Sequence, residues 1–160
     1  MSEEKIVKPK IEDVAAGFLN EGDLENLKDF VGFLKENKLT PTKISGGTWV
    51  VKNKGKTVCH MRLWNEKDWG VTHSHFTREK WFKDYDKYIT DDGLITFIHN
   101  HIRKPACPKD CWSYKNKMTI LGKQFDPVCN CEPLRLTNPS GTELENEKKL
   151  VLVIKNISLI

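Results

Sequence analysis

Apolar positions along the chain change period twice, and those changes mark out its elements. After a polar stretch to about Lys10, Ile11, Val14, Ala15, Phe18 and Leu19 recur at helical spacing, the pattern of a short amphipathic helix over 11–20. Gly22 interrupts it. Asp23 then reads as the N-cap of a second helix, where Leu24, Leu27, Phe30, Val31 and Leu34 form one stripe before Asn37 and Pro41 end it. From there the period falls to two. Residues 47–52 and 57–64 are rich in β-branched and aromatic side chains, and Asn53-Lys54-Gly55-Lys56 between them is a hairpin linker. Alternation over 69–75 completes a three-stranded meander. Helical spacing returns after Thr77, aligning Phe82, Tyr85 and Ile89, and again over 94–102 behind the capping run Thr90-Asp91-Asp92-Gly93. A last stripe, Leu150, Val153, Ile154 and Ile157, belongs to a helix over 142–157 that Thr142 and Glu145 open as a capping box.

Successive strand residues point to opposite faces. On 57–64, Cys59, Met61 and Leu63 therefore share an apolar face suited to contact with helices. Val58, His60, Arg62 and Trp64 share an amphipathic face that can line a pocket. Trp69, Val71, His73 and His75 line one face of the third strand. With no internal repeat and no long linker, this order predicts one α+β domain over 1–160. A small antiparallel meander is packed on one face by helices, after a flexible N-terminus over 1–10. A Cys-rich extension over 105–133 and a C-terminal helix follow.

The 160 residues, 38% hydrophobic and 30% charged, suffice for a core without covalent staples. No apolar run is long enough for a membrane helix, and Met1-Ser2-Glu3-Glu4-Lys5 opens no secretory signal, so a cytoplasmic, reducing setting is expected. The net charge of +4 is modest but uneven. Over 99–123, six basic residues face only Asp110, which reads either as a solvated loop or as a surface for an anionic ligand or for nucleic acid, the latter centred on Arg103, Lys104, Lys115 and Lys117.

The cysteines carry the sharpest candidate chemistry. Four of the five fall in Cys107-x3-Cys111-x17-Cys129-x-Cys131, within a segment poor in apolar residues. In a reducing compartment such clusters point to metal before disulfides. Structural zinc held by Cys107, Cys111, Cys129 and Cys131 would order a segment that packing cannot. The second pair needs a turn to bring its thiols to one side, and Pro127 and Pro133 flank it. Three cysteines with His99 or His101, disulfides and unligated thiols remain open alternatives. A redox pair at Cys107 and Cys111 lacks the two-residue spacing of oxidoreductases, and Cys59 reads as a small core hydrophobe.

Nothing points to catalysis. Adjacent strand residues Cys59 and His60 face apart, His99 and His101 stand two apart on a helix, and His73 with His75 reads as a solvated pair. No phosphate loop, nucleophile elbow or zinc-protease motif is present, so no catalytic residue is assigned. Tryptophan is abundant: Trp49, Trp64, Trp69, Trp81 and Trp112. The bland reading is a sheet–helix core. The functional one is an aromatic pocket on the sheet lined by Trp49, His60, Arg62, Trp64, Trp69 and His73.

Two stretches carry a resemblance. Trp49-Val50-Val51-Lys52 with Gly55-Lys56-Thr57-Val58-Cys59, and Ile120-Leu121-Gly122-Lys123-Gln124-Phe125 with Cys129 and Asn138-Pro139, resemble a group of small bacterial proteins of unassigned activity with a Cys-rich C-terminal half. That resemblance spans roughly 39–160. The hairpin is also loosely similar to small α/β domains of frataxin-like topology, which implies a helix-covered sheet. Glu21, Asp23 and Glu25 are too sparse to carry over frataxin's acidic iron site. The expectation is a non-enzymatic, zinc-containing binding module that recognises a small molecule or protein partner on an aromatic sheet face. A nucleic-acid-associated zinc module using the basic Cys-rich segment is the alternative; an enzyme comes third.

Overall fold

A computed structural model describes residues 7–108, 110, 111, 114, 115 and 117–160, with the backbone alone for Lys115. Lys109, Trp112 and the first six residues lie outside the described residues. Two helices come first, α1 (Ile11–Ala15) and α2 (Glu21–Glu36). Asn20, not Asp23, caps α2: its side chain accepts the Asp23 N–H at 2.8 Å, so the helix runs through Gly22. Leu27, Phe30, Val31 and Leu34 are the buried stripe of α2.

Strands β1 (Pro41–Ser45), β2 (Thr48–Asn53), β3 (Lys56–Trp64) and β4 (Asp68–His73) follow as antiparallel neighbours. The expected meander is there, but the sheet has five strands, in the order β1-β2-β3-β4-β9, with β9 (Leu134–Thr137) arriving from beyond the Cys-rich segment. β1 begins at a proline and is mostly solvent-facing, as an edge strand allows.

β4 stops at His73, and His75 opens the short helix α3 (His75–Arg78). The expected helix beyond Thr77 is broken into α3 and two 3-10 turns at Lys80–Phe82 and Tyr85–Lys87. Stacking decides this. The rings of Phe82 and Tyr85 lie 5.1 Å apart, and Phe76 meets both edge-on. Helix α4 (Asp92–His101) is capped by Asp91, whose side chain accepts the Leu94 N–H.

The Cys-rich segment is more structured than its composition suggests. β5 (Tyr114–Lys115) pairs with β8 (Val128–Cys129), and β6 (Met118–Ile120) with β7 (Lys123–Phe125). Ile120 is fully buried in the main hydrophobic cluster, and Met118 and Phe125 pack against it, so the segment contributes to the core. Helix α5 (Gly141–Ile157) closes the chain. Its expected capping box does not form; Ser140 is the N-cap residue, with no side-chain bond, and Glu145 pairs with Lys148 instead. The expected frayed N-terminus is partly tied down, because the Pro9 carbonyl accepts the Trp49 indole N–H at 3.0 Å. No helix among the described residues is long and apolar enough to cross a membrane.

Candidate functional site

Register decides which side chains share a face, because residues directly opposite in an antiparallel pair point the same way. One row across the sheet is Trp49, Met61, Val71 and Leu136, with Val51 beside Cys59 and Leu63 beside Trp69. Helices pack on this inner face: the Phe30 ring of α2 lies 6.1 Å from Trp69, and Glu147 of α5 bonds His73. Trp49 and Trp69 are therefore core residues, 1% and 0% exposed. The six side chains expected to line one pocket divide: Trp49, Trp69 and His73 face the helices, while His60, Arg62 and Trp64 face outward.

The outer face has its own order. Thr42, Val50, His60, Thr72 and Arg135 form one row across all five strands. Thr48, Arg62, Gly70 and Thr137 form the next, and Trp64 sits opposite Asp68. The indole edge of Trp64 fills space above Gly70, where a Cβ would lie only 2.5 Å from it. The Arg135 guanidinium lies 3.9 Å from the indole centroid, a cation–π contact that holds Arg135 over the sheet. Glu132, at the end of the Cys-rich segment, bridges two more arginines: Oε1 accepts from Arg62 Nη2 at 2.8 Å and Oε2 from Arg103 Nη1 at 3.0 Å.

The electrostatics confirm that these groups act on one another. Burial, then the positive charge of Arg62, pushes the His60 pKa down to about 4, with Arg78 adding to the effect, so its ring is neutral near pH 7. Burial, then Arg103, lowers Arg135 from its ordinary value. The Nε atoms of Arg62 and Arg135 are buried with no acceptor among the described residues. At the β1–β2 end of the same face, a concavity of about 400 Å³ is lined by Lys38, Thr40, Thr42, Ile44, Val50 and Lys52. Val50 is the direct cross-strand neighbour of His60, so the concavity and the arginines share one surface.

His73 and His75 are not a solvated pair; they are 0% and 2% exposed. His73 Nε2 lies 2.6 Å from Glu147 Oε1, and its Nδ1 donates to the Val58 carbonyl. His75 Nε2 donates to the Thr57 carbonyl at 2.7 Å, which leaves Nδ1 as the lone-pair nitrogen. Burial, then His73, pushes the His75 pKa down to about 3. Cys59 is fully buried beside this cluster, and desolvation holds its thiol well above the ordinary value. His99 and His101 part company: His99 donates to the Ile120 carbonyl, His101 to that of Phe97.

Among the described residues, which include all five cysteines, there is no disulfide. The chain turns after β8, and the thiols of Cys129 and Cys131 come to one side, 3.7 Å apart. Pairing of Tyr114 with Cys129 brings the strand that follows Cys111 alongside them. Among the described residues no group of three or more His, Cys, Asp or Glu side chains is gathered as a metal site. Of the basic residues expected to meet nucleic acid, Arg103 belongs to the sheet-face cluster, while Lys104 and Lys117 are exposed.

Arg78, Arg135 and Glu132 were absent from the sequence-based candidates. A signal was available: the chain has 26 basic side chains, only four of them arginine, and three converge here while the fourth, Arg78, lies within electrostatic range of His60. Lysine serves a solvated surface equally well; arginine is distinguished by its planar fork of donors. No protein-family profile, characterised protein or solved structure shows significant similarity to this chain.

Proposed function

We propose that this chain is a non-enzymatic binding module that takes a small molecule on the outer face of its sheet, with structural zinc anchoring the Cys-rich segment that borders this face. The observation that carries the reading is the shared outer face of the sheet. It leads from a concavity with lysine and threonine walls, past a neutral imidazole, to arginines held in place by Trp64 and Glu132. A concave site with a few oriented polar groups is what small-ligand recognition requires. Nucleic-acid stacking on Trp64 fits less well, because Arg135 already covers the indole. A reducing, cytoplasmic setting belongs to the same reading.

Zinc is supported by one distance. Two thiolates on a tetrahedral zinc, each at about 2.3 Å, stand about 3.8 Å apart. The Cys129 and Cys131 sulfurs are 3.7 Å apart. Cys107 and Cys111 would complete the set from the segment that leads into β5.

A thermal-shift screen of wild type and Arg62→Ala against acidic, basic and neutral small molecules tests the binding face. Compounds that stabilise wild type should fail to stabilise the variant, whose circular dichroism stays native. Ligands that act equally on both proteins contradict the reading.

A further inference from the structure

The arginine cluster leaves charge and donors unanswered. Arg62 and Arg103 are at bonding distance from Glu132, and Arg135 lies within electrostatic range of Glu132 and Asp68, so three guanidinium groups face two carboxylates. Arg62 and Arg103 each bond Glu132 through a terminal nitrogen, so their forks are only partly used. The Nε donors of Arg62 and Arg135 are buried without an acceptor, a condition that native structures rarely leave unmet. Asp68, the second carboxylate within range of Arg135, accepts from the Asn138 amide at 2.8 Å and forms no ion pair with these arginines among the described residues. Glu132 and Trp64 instead hold three guanidinium groups over one patch of sheet.

We infer that this patch is a receptor for a phosphate monoester: a dianionic tetrahedral oxyanion accepts from Arg62, Arg103 and Arg135, and the organic remainder runs past His60, over the buried Thr72, toward the concavity at Val50. The three terminal oxygens of a phosphate monoester match three guanidinium groups, whereas a phosphodiester offers only two. Charge-assisted, two-pronged bonds to phosphate oxygens are the interaction for which arginine is suited and lysine is not. Strands lie about 4.8 Å apart, so Arg135 and Val50, three strands distant, are separated by about 14 Å, the reach of a phosphorylated small molecule. Glu132 and Trp64 are positioning residues. His60, neutral at pH 7, adds no competing charge and can bond a ligand hydroxyl.

This assignment rests on the outer face being the binding surface, and the experiment separates the two claims. Wild type, Arg62→Lys, Arg135→Lys and Lys54→Ala are titrated at pH 7.5 and constant ionic strength with inorganic phosphate, phenyl phosphate and dimethyl phosphate, following both calorimetric heat and melting midpoint. Phosphate and phenyl phosphate should bind saturably to wild type and to Lys54→Ala, and dimethyl phosphate should not. Each lysine variant, with its net charge kept, should bind phenyl phosphate at least about tenfold more weakly. Equal binding of dimethyl phosphate, or lysine variants that bind like wild type, overturns the assignment. Inert phosphates together with screen hits that depend on Arg62 would overturn the phosphate class alone; no dependence on Arg62 for any ligand would overturn both.

Discussion

Gly70 shows how one residue shapes the outer face. A methyl group there would meet the Leu136 carbonyl oxygen at 2.0 Å and the Trp64 ring at 2.5 Å. Gly70→Ala should therefore cost about 1–3 kcal/mol in urea denaturation and displace the indole on which Arg135 rests. His75 makes a pH prediction at the same scale. The fold keeps its ring neutral down to about pH 3, while an unfolded imidazole protonates near 6.5. Only the unfolded state gains the proton in between, so stability should be full above pH 6.5 and decline as pH falls toward 3. The limiting slope is about 1.4 kcal/mol per pH unit. His60, with a pKa of about 4, acts in the same direction over pH 6.5 to 4, weakened by its partial exposure. Urea midpoints for wild type and His75→Gln between pH 7 and 4 check this; the variant should show the shallower decline.

At the scale of elements, the sequence pattern served best where one face is apolar and the other polar. The stripe Leu27, Phe30, Val31 and Leu34 and the alternation of Cys59, Met61 and Leu63 both identified inner faces. It failed for β1, five residues with no clear alternation, and for β9, where Leu134-Arg135-Leu136-Thr137 alternates but over only four residues. Missing β9 meant missing Arg135, and with it half of the candidate site. Register was the other gap. Trp49 and Trp69 each lie on an alternating strand, but only pairing with Met61 and Leu63 places them inside. One buried pair was legible in principle. Glu147 stands on the apolar stripe of α5, three residues after Leu144 and three before Leu150, where a charge demands a partner. Glu147→Ala leaves His73 buried without that partner and should cost about 3–5 kcal/mol in equilibrium unfolding, with Glu147→Gln milder.

For the whole molecule, the composition and the order of elements were enough to place the chain among α+β folds, with helices on one side of an antiparallel sheet. What they could not supply was convergence. Arg62, Arg103 and Arg135 come from three separate parts of the chain and meet only in the folded molecule. The cysteine spacing was legible, and Pro127 and Pro133 marked the turn that places Cys129 and Cys131 side by side. Zinc at this site should register as about one metal per chain in elemental analysis of purified protein, and chelation should lower the Tm. Metal-free protein whose four thiols react freely would contradict it.

The central claim concerns the outer face, and nuclear magnetic resonance reports on it directly. In a titration of 15N-labelled protein with phenyl phosphate, the Nε–H signals of Arg62 and Arg135 and the indole N–H of Trp64 should shift together and saturate. The buried indoles of Trp49 and Trp69 should stay in place. No shift at Arg62, Arg135 and Trp64, or shifts spread evenly over the lysine-rich surface, would contradict the account.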